Sequence, residues 1–325
     1  YQPLVGLRDG LPVKAEALAR LVQDDGTIIA PAQFLPVLGG RDLDELFRLG
    51  LAEALAQAVR WEMEGLALGI TVNLAPSTLA RPDCATWVRD ALRATPLAPG
   101  RLSLEITEQQ ALSEADGAPA ASLAALARLG VSLAMDDLGS GYSSLQRLRA
   151  LPFRIAKLDQ GLLRGALRAP ARTISFIGAL VQLGRDLEIE VVVEGLESAD
   201  MVEAAAVLGA DMGQGYALAR PMPPDAIPAW VRALGWTIDR RVPRTALGVL
   251  AMMWRTLHVG DAPVGLVEAC PVARFIEARG LNGSKLDRAH RALHVLAARD
   301  GRTSTRYRAA AARFQQAVAR LVTEI

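Results

Sequence analysis

The chain has 325 residues, of which 51% are hydrophobic and 22% charged, and its formal net charge is +1. This balance is typical of a globular protein long enough for one large domain and a small one, and the near-neutral charge gives no reason to expect binding to a nucleic-acid polymer or an acidic membrane. Its two cysteines, Cys84 and Cys270, lie far apart, which argues against a disulfide scaffold and favours a reducing, cytoplasmic location. No apolar run approaches the ~18 residues of a membrane span.

The opening residues predict two antiparallel strands. Residues 1–8 and 13–21 flank Asp9-Gly10, a dipeptide that favours a tight hairpin turn. The chain begins inside an apolar strand pattern, and no signal peptide is visible in it. We therefore expect a piece of a longer protein, with N-terminal sensory domains outside this chain. Residues 42–59 then have the periodicity of an amphipathic helix.

From residue 69 onward, strand and helix patterns alternate. Strands are predicted at 69–74, 101–106, 131–136, 154–158, 188–194 and 211–216, and helices at 84–94, 117–129, 171–186, 199–209 and 225–234. Such alternation predicts βα units and a parallel sheet. Eight strands in about 235 residues favour a (β/α)8 barrel over an open sheet. The opening hairpin makes this an irregular barrel with one antiparallel strand.

The C-terminal part has a different character. The barrel is predicted to comprise residues 1–234, and residues 235–245 are predicted to form a linker after it. Residues 246–325 are rich in Ala, Leu and Arg with few strand signals, which predicts a small all-helical domain with a regulatory or dimerisation role. The run 304–322 alternates apolar and basic residues at helical spacing, as expected of a helix with one solvated face.

Polar residues recur at or near the carboxyl ends of the predicted strands. They are Asn73, Glu105, Asp136 and Glu194, with Glu16 in the second strand and Lys157 near the end of another. Barrel enzymes build their sites on this face. Asp136 and Asp137 follow the apolar run 131–135, and adjacent carboxylates at a strand end repel each other unless a cation is present. The pattern therefore predicts a hard divalent cation held near a phosphate; a solvated Asp-Gly turn is the alternative for the motif alone.

Seven motifs in register resemble the EAL-domain cyclic-di-GMP phosphodiesterases of bacterial signalling, over residues 1 to about 234. They are Glu16-Ala17-Leu18 with Arg20, Val72-Asn73-Leu74, Leu104-Glu105-Ile106-Thr107-Glu108, Asp136-Asp137-Leu138-Gly139-Ser140-Gly141-Tyr142-Ser143-Ser144-Leu145, Lys157-Leu158-Asp159, Glu194-Gly195-Leu196-Glu197 and Gln214-Gly215-Tyr216. The resemblance implies hydrolysis of cyclic-di-GMP to linear pGpG, a barrel with one antiparallel strand, and a homodimer.

The resemblance also implies roles for individual residues. Glu16, Asn73, Glu105 and Asp136 correspond to ligands of one Mg²⁺ or Mn²⁺, and Asp136 with Asp137 to the site of a second ion. Glu194 corresponds to a further metal-site carboxylate or the general base, and Lys157 to the residue that orients the attacking water.

Several more positions correspond to residues with supporting roles in the family. Glu108 corresponds to the residue that braces the loop 136–142, Glu197 and Gln214 to residues behind the ligands or in contact with water, and Gln2, Arg20 and Asp159 to substrate contacts. Leu138 and Ser140 depart from the usual Phe and Thr, which bears on the stiffness of the loop rather than on the chemistry.

Two other functions remain compatible with the sequence. One is a receptor that binds cyclic-di-GMP without turnover, as happens in family members that have lost ligands. The other is an unrelated metal-using barrel enzyme with no affinity for the dinucleotide. Every expected ligand position here carries the expected residue type, which favours the enzyme.

All three histidines, His258, His290 and His294, lie in the C-terminal region with Cys270. His290 and His294 are four residues apart, on one face of a helix, a spacing able to bind Zn²⁺. The segments 270–275 and 290–294 are similar to the chemoreceptor zinc-binding domain, which implies a Zn²⁺ site.

That similarity has two departures. Ala273 stands at a glycine position, and Ala251 stands where the first histidine would precede Trp254, so that His258 could substitute only if the first helix were remodelled. A plain helical module is the alternative.

Overall fold

The computed structural model of the protein describes residues 1–107, 117–139, 144–165, 168–235, 237, 239–260 and 267–323. Its strands are, in chain order, β1 (Gln2–Gly6), β2 (Pro12–Ala17), β3 (Leu21–Val22), β4 (Ile28–Ile29), β5 (Gly69–Asn73), β6 (Leu102–Thr107), β7 (Ser132–Leu138), β8 (Ile155–Leu158), β9 (Glu190–Val193) and β10 (Met212–Gly213).

Eight of these strands form a closed barrel in the order β1-β10-β9-β8-β7-β6-β5-β2. β1 runs antiparallel to both of its neighbours, and all other pairs are parallel. The predicted irregular barrel is thereby confirmed. The second predicted strand ends early, at Ala17, because Leu21 and Val22 leave the barrel and pair with β4 in a separate hairpin.

The helices cover the outside of the barrel and make up the C-terminal region. They are α1 (Pro31–Phe34), α2 (Gly40–Met63), α3 (Pro76–Leu79), α4 (Cys84–Arg93), α5 (Gly117–Arg128), α6 (Ser144–Ala150), α7 (Pro170–Asp186), α8 (Ala199–Leu208), α9 (Ala226–Ala233), α10 (Ala246–His258), α11 (Pro271–Ala278), α12 (Lys285–Asp300) and α13 (Thr305–Thr323). Among the described helices, none combines the length and apolar character needed to cross a membrane.

Local sequence signals explain where these helices begin and end. The hydroxyl of Ser198 accepts a hydrogen bond from the N–H of Met201 and so caps α8, which ends at Gly209 in the left-handed conformation. Thr245 caps α10 and Ser284 caps α12 in the same way, by accepting from backbone N–H groups three residues on. Each cap satisfies N–H groups that have no partner within their helix.

The inside of the barrel is apolar at one level and polar at the rim. Leu4, Ala134, Ile155, Val192 and Met212 form a buried apolar cluster contributed by β1, β7, β8, β9 and β10. Because side chains alternate along a strand, residues two positions from these also face inward. This places Gln2, Asp136, Lys157, Glu194 and Gln214 inside the barrel, at the carboxyl end of the parallel strands.

The C-terminal helices are attached to the barrel through α10. The indole of Trp254 lies against Gly178 of α7, so closely that a Cβ atom there would come within 2.7 Å of the ring. The Glu203 carboxylate of α8 accepts hydrogen bonds from the backbone N–H groups of Arg244 and Thr245, both at 2.8 Å, and from the Thr245 hydroxyl at 2.6 Å. Helix α10 therefore lies between the barrel helices and the rest of the C-terminal region.

Candidate active site

Lys157 occupies the centre of the barrel rim. Its Nζ lies 2.8 Å from Glu105 Oε2 and 2.7 Å from Glu194 Oε1, and 3.5 Å from both Glu16 Oε2 and Asp136 Oδ1. The side chain is only 2% exposed. Burial lowers the pKa of Lys157, but the four carboxylates outweigh burial and hold the pKa well above its usual range. Carboxylates from four strands, or from the residues directly after them, thus converge on one ammonium group that a fifth strand carries.

Glu16 is held in place by two amides. Its Oε1 accepts a hydrogen bond from Asn73 Nδ2 at 2.9 Å, and its Oε2 accepts one from Gln214 Nε2 at 2.8 Å. Burial raises the pKa of Glu16, but Lys157 and these hydrogen bonds lower it by more. Glu16 is therefore a fixed, ionised carboxylate.

The site holds more negative charge than Lys157 can neutralise. Burial, and then the charge of Glu16, raises the pKa of Glu105 well above its usual range. Burial likewise raises the pKa of Glu194 to about 7, partly offset by Lys157. A carboxylate cluster with raised pKa values gains stability from any added cation, because the cation replaces the protons that these groups otherwise retain.

Asp136 and Asp137 point to the same side although they are neighbours in a strand. The β7–β8 register shifts between Met135 and Leu138, and Asp137 has a left-handed backbone with φ 58°. This bulge brings carboxylate oxygens of Asp136, Asp137 and Glu194 within 4.8 Å of one another. Burial, then the charges of Asp136 and Asp159, raises the pKa of Asp137 to about 6.

Two buried oxygens at this rim have no hydrogen-bond partner among the described residues. They are Asp136 Oδ1 and Gln214 Oε1. Buried polar atoms are rarely left without a partner. The donor set, which is carboxylate and amide oxygen only, matches what Mg²⁺ and Mn²⁺ bind. The residues present therefore fit a hard divalent cation.

Other residues predicted for this site lie outside the Lys157 cluster. Gln2 Nε2 donates to the Ala219 carbonyl at 3.1 Å, and exposed Arg20 donates to the carbonyl of its neighbour Ala19 at 2.7 Å. Asp159 accepts from the Gly161 N–H at 2.8 Å and so caps the short turn Gln160–Leu162, while Glu197 is exposed. Glu108, Ser140, Gly141 and Tyr142 lie outside the described residues, so their predicted roles stay predictions.

A second cluster lies in the C-terminal helices. Cys270 Sγ is 3.4 Å from His290 Nε2, which is 3.2 Å from His294 Nε2, and all three atoms lie within 4.8 Å of one another. Burial, then the neighbouring His294, lowers the pKa of His290 to about 4, so its imidazole is neutral at physiological pH. The structure does not bring His258 into this group, because its ring stacks on Trp254 and its Nδ1 contacts the Trp254 carbonyl at 2.9 Å.

Several residues near these clusters were not identified from the sequence. A pocket beside the Cys270 cluster is lined by Met252, Met253, Thr256, Arg302 and Tyr307. They come from α10 and from the segment around the start of α13, and no local motif connects them. The bulge in β7 was also missed, although the adjacent Asp-Asp pair was a signal that one of the two needed an unusual backbone conformation.

Comparison with known proteins agrees with this architecture. The family model described as "EAL domain" matches residues 1–221. The chain is 37% identical over 227 residues to "Cyclic di-GMP phosphodiesterase RocR" of Pseudomonas aeruginosa, covering 69% of this chain and 57% of that protein. It is 36% identical over 235 residues to "Bifunctional diguanylate cyclase/cyclic di-GMP phosphodiesterase MucR" of the same organism, covering 71% of this chain and 34% of that protein.

The solved structure described as "PaMucR Phosphodiesterase, c-di-GMP complex" superposes with a TM-score of 0.65 at 36% identity, covering 70% of this chain and 92% of that one. An uncharacterized signaling protein of Caulobacter vibrioides is 39% identical, but the match spans only 28% of its length. The chain thus spans between about a quarter and about three fifths of these full-length relatives.

Proposed function

Since the chain belongs to the EAL domain family, we propose that it hydrolyses one phosphodiester bond of cyclic-di-GMP and releases linear pGpG. The observation that carries the proposal is the convergence of Glu16, Glu105, Asp136 and Glu194 on Lys157 at the barrel rim. The similarity to two proteins named as cyclic-di-GMP phosphodiesterases supports the substrate. The resemblance also predicts a homodimer, which light scattering of the purified chain would detect.

The proposal includes a pair of Mg²⁺ or Mn²⁺ ions. Glu16, Asn73, Glu105 and Asp136 would hold one ion, and Asp136, Asp137 and Glu194 the other. The oxygen-only donors support this assignment, as does Asp136 Oδ1, which accepts no hydrogen bond from the described residues and has only the 3.5 Å ion-pair contact with Lys157 Nζ. When bound, such a pair lowers the pKa of a coordinated water and neutralises charge on the phosphoryl oxygens.

The protein's own side chains would prepare the reaction. Lys157, buried and fixed, offers a cation to charge that develops on the phosphate. Asn73 and Gln214 orient Glu16 without adding negative charge that would repel the substrate. Glu194, whose Oε1 lies 2.7 Å from Lys157 Nζ, would hold the second ion or take a proton from the attacking water, the two roles that the family resemblance assigns to it.

Incubation of the chain with cyclic-di-GMP and Mg²⁺ or Mn²⁺ tests the proposal, with pGpG followed by chromatography. Glu16→Ala and Asp136→Ala should each lower turnover by roughly 100-fold or more, as expected for loss of transition-state stabilisation. Glu190→Ala is the matched control, because Glu190 is an exposed carboxylate at the opposite end of β9. Tight binding without pGpG would identify a receptor instead, and absence of both would reject the substrate.

We also propose that Cys270, His290 and His294 bind Zn²⁺. A thiolate and two imidazoles form a typical zinc donor set, and here they already lie together. Elemental analysis of the purified chain should find zinc, and Cys270→Ser should remove it. Because buried His290 Nδ1 has no hydrogen-bond partner among the described residues, we expect chelators to extract this zinc easily. A zinc-free wild-type protein that also fails to take up added Zn²⁺ would contradict the proposal.

A further inference from the structure

We propose that the zinc centre of Cys270, His290 and His294 leaves one coordination position open, and that this position takes a small anion through the adjoining pocket. The inference rests on the proposed zinc binding and goes beyond it. It assigns the pocket a ligand class that neither the sequence motifs nor the family indicates.

The spacing of the three donor atoms is compatible with tetrahedral zinc. Zinc binds histidine nitrogen at about 2.0 Å and cysteine sulfur at about 2.3 Å, so tetrahedral donors lie about 3.3 Å apart for two nitrogens and about 3.5 Å for nitrogen and sulfur. The two measured separations are 3.2 Å between the histidine Nε2 atoms and 3.4 Å from His290 Nε2 to Cys270 Sγ. Cys270 directly precedes α11, and both histidines lie on α12.

Within the described part of the chain, no fourth His, Cys, Asp or Glu joins these three donors. Asp287, one turn before His290, has both oxygens engaged: Oδ1 accepts from Arg291 Nε at 3.0 Å, and Oδ2 accepts from the Gly283 N–H at 2.8 Å. His258 is turned towards its own helix and stacks on Trp254. Zinc sites with three protein ligands are those that accept an exogenous ligand at the remaining position.

The space beside the donors is suited to an anion. Cys270, His290 and His294 themselves line the pocket, together with apolar side chains such as Met252 and Met253 and the polar groups of Thr256, Arg302 and Tyr307. The zinc ion and the Arg302 guanidinium would both attract negative charge.

Cobalt substitution of the full chain tests the open position. Co²⁺ reports coordination by its visible spectrum, and its charge-transfer band from thiolate belongs to this centre alone, because the acidic group at the barrel rim contains no cysteine and Cys84 is buried elsewhere. We expect Co²⁺ to give this band in the wild type and not in Cys270→Ser. Added azide should then shift the spectrum in a saturable way, with His258→Gln behaving as the wild type.

The role of Arg302 is tested separately. Arg302→Gln should weaken azide binding by about tenfold, as expected for loss of one charge-assisted interaction, while Arg302→Lys keeps most of it. Absence of the charge-transfer band would show that the zinc proposal itself fails. A normal band that azide leaves unchanged, or one that His258→Gln alters, would overturn the open position alone, since a protein ligand would then fill it.

Discussion

At the scale of single residues, Lys157 supplies the positive charge that compensates the rim carboxylates in the metal-free protein. Removing the partner of a buried ion pair typically costs about 3–5 kcal/mol, because the remaining charge is uncompensated. We therefore expect Lys157→Met to lose about that much unfolding free energy near pH 8 without metal. Urea unfolding measures it, and added Mg²⁺ should restore part of the loss.

The loss of unfolding free energy in Lys157→Met should depend on pH, because Glu105 and Glu194 both have raised pKa values. The pKa of Glu194 is raised from 4.5 to about 7, so between these values the folded state binds more protons than the unfolded state. Stability from this group is therefore largest below about pH 4.5 and declines as the pH rises towards 7. In Lys157→Met the unfolding free energy should decline more steeply with rising pH than in the wild type. Near pH 5, where the carboxyl groups are protonated, the variant should regain much of the lost stability.

Lys14 provides the matched control. It is also buried, at a different level of the barrel, where its Nζ donates to Ser103 Oγ at 2.9 Å. Added Mg²⁺ should stabilise Lys14→Met only as much as it stabilises the wild type, because the rim is intact in both, and should stabilise Lys157→Met by more. Equal gains in all three proteins would show that loss of Lys157 does not strengthen the binding of the ion at the rim.

Much of the rim could be predicted from residue types, since Asn73 ends an apolar strand, Glu194 follows one and Glu105 lies two residues before the end of one. The contacts of Lys157 with four carboxylates could not. A sequence gives the face of a strand on which a side chain lies, but not how far it extends into the barrel or which of several acids it reaches.

At the scale of elements, the bulge in β7 determines whether Asp136 and Asp137 face the same site. The left-handed backbone of Asp137 is tolerated by Asp and Asn but costs most other residues about 1 kcal/mol or more. We expect Asp137→Ala to be about 1 kcal/mol less stable than Asp137→Asn in urea unfolding, although both lack the carboxylate. Equal stabilities would mean that the bulge relaxes in the alanine variant.

The same pair of variants has a pH signature. Because the pKa of Asp137 is raised from 3.8 to about 6, the wild type loses stability as the pH rises through this range, and Asp137→Asn does not. The stability of Asp137→Asn relative to the metal-free wild type should therefore increase between about pH 4 and pH 6 and remain constant above. A flat difference would contradict the raised pKa of Asp137, which has burial and then repulsion from Asp136 and Asp159 as its causes.

The contact between α7 and α10 gives a second test at this scale. Alanine normally stabilises a helix by about 1 kcal/mol relative to glycine, but at Gly178 the new Cβ would come within 2.7 Å of the Trp254 ring. Gly178→Ala should therefore be destabilising, by about 1–3 kcal/mol. Gly50→Ala in α2 is the control and should be neutral or stabilising, because no atom lies within 4 Å of its new Cβ. The melting temperatures of both variants, measured by thermal unfolding, distinguish the steric clash at Gly178 from the general helix propensity of alanine.

Strands and helices were predictable because their periodicities are local. The predicted helix 84–94 agrees with α4 and the predicted strand 69–74 with β5, each to within one residue at its end. The β3–β4 hairpin was missed, because Leu21 and Ile28 are exposed and carry no alternation that marks a buried face. The Trp254–Gly178 contact joins residues too far apart for any local pattern to reveal.

At the scale of the whole molecule, the segment 235–245 was predicted to be a linker between two domains. In the structure its described residues are tied to the barrel. Arg240 donates to the Leu7 carbonyl at 3.0 Å and to the Ala210 carbonyl at 2.6 Å, and Glu203 accepts from the backbone of Arg244 and Thr245. The first nine residues of α10 are buried. Separating the two parts would expose this apolar helix to water.

We therefore expect the barrel and the C-terminal helices to unfold in one cooperative transition. Turnover and helical circular dichroism should be measured in the same series of urea concentrations, with urea kept in the assay. The two signals should be lost at the same urea concentration. Glu203→Ala removes the three hydrogen bonds that begin α10 and should shift both curves to lower urea together, because the cap and the barrel share one folded unit. Arg244→Ala, which keeps the backbone N–H that Glu203 accepts, should leave both curves nearly in place. Two separate transitions, with turnover surviving the first, would instead identify the C-terminal helices as an independent domain.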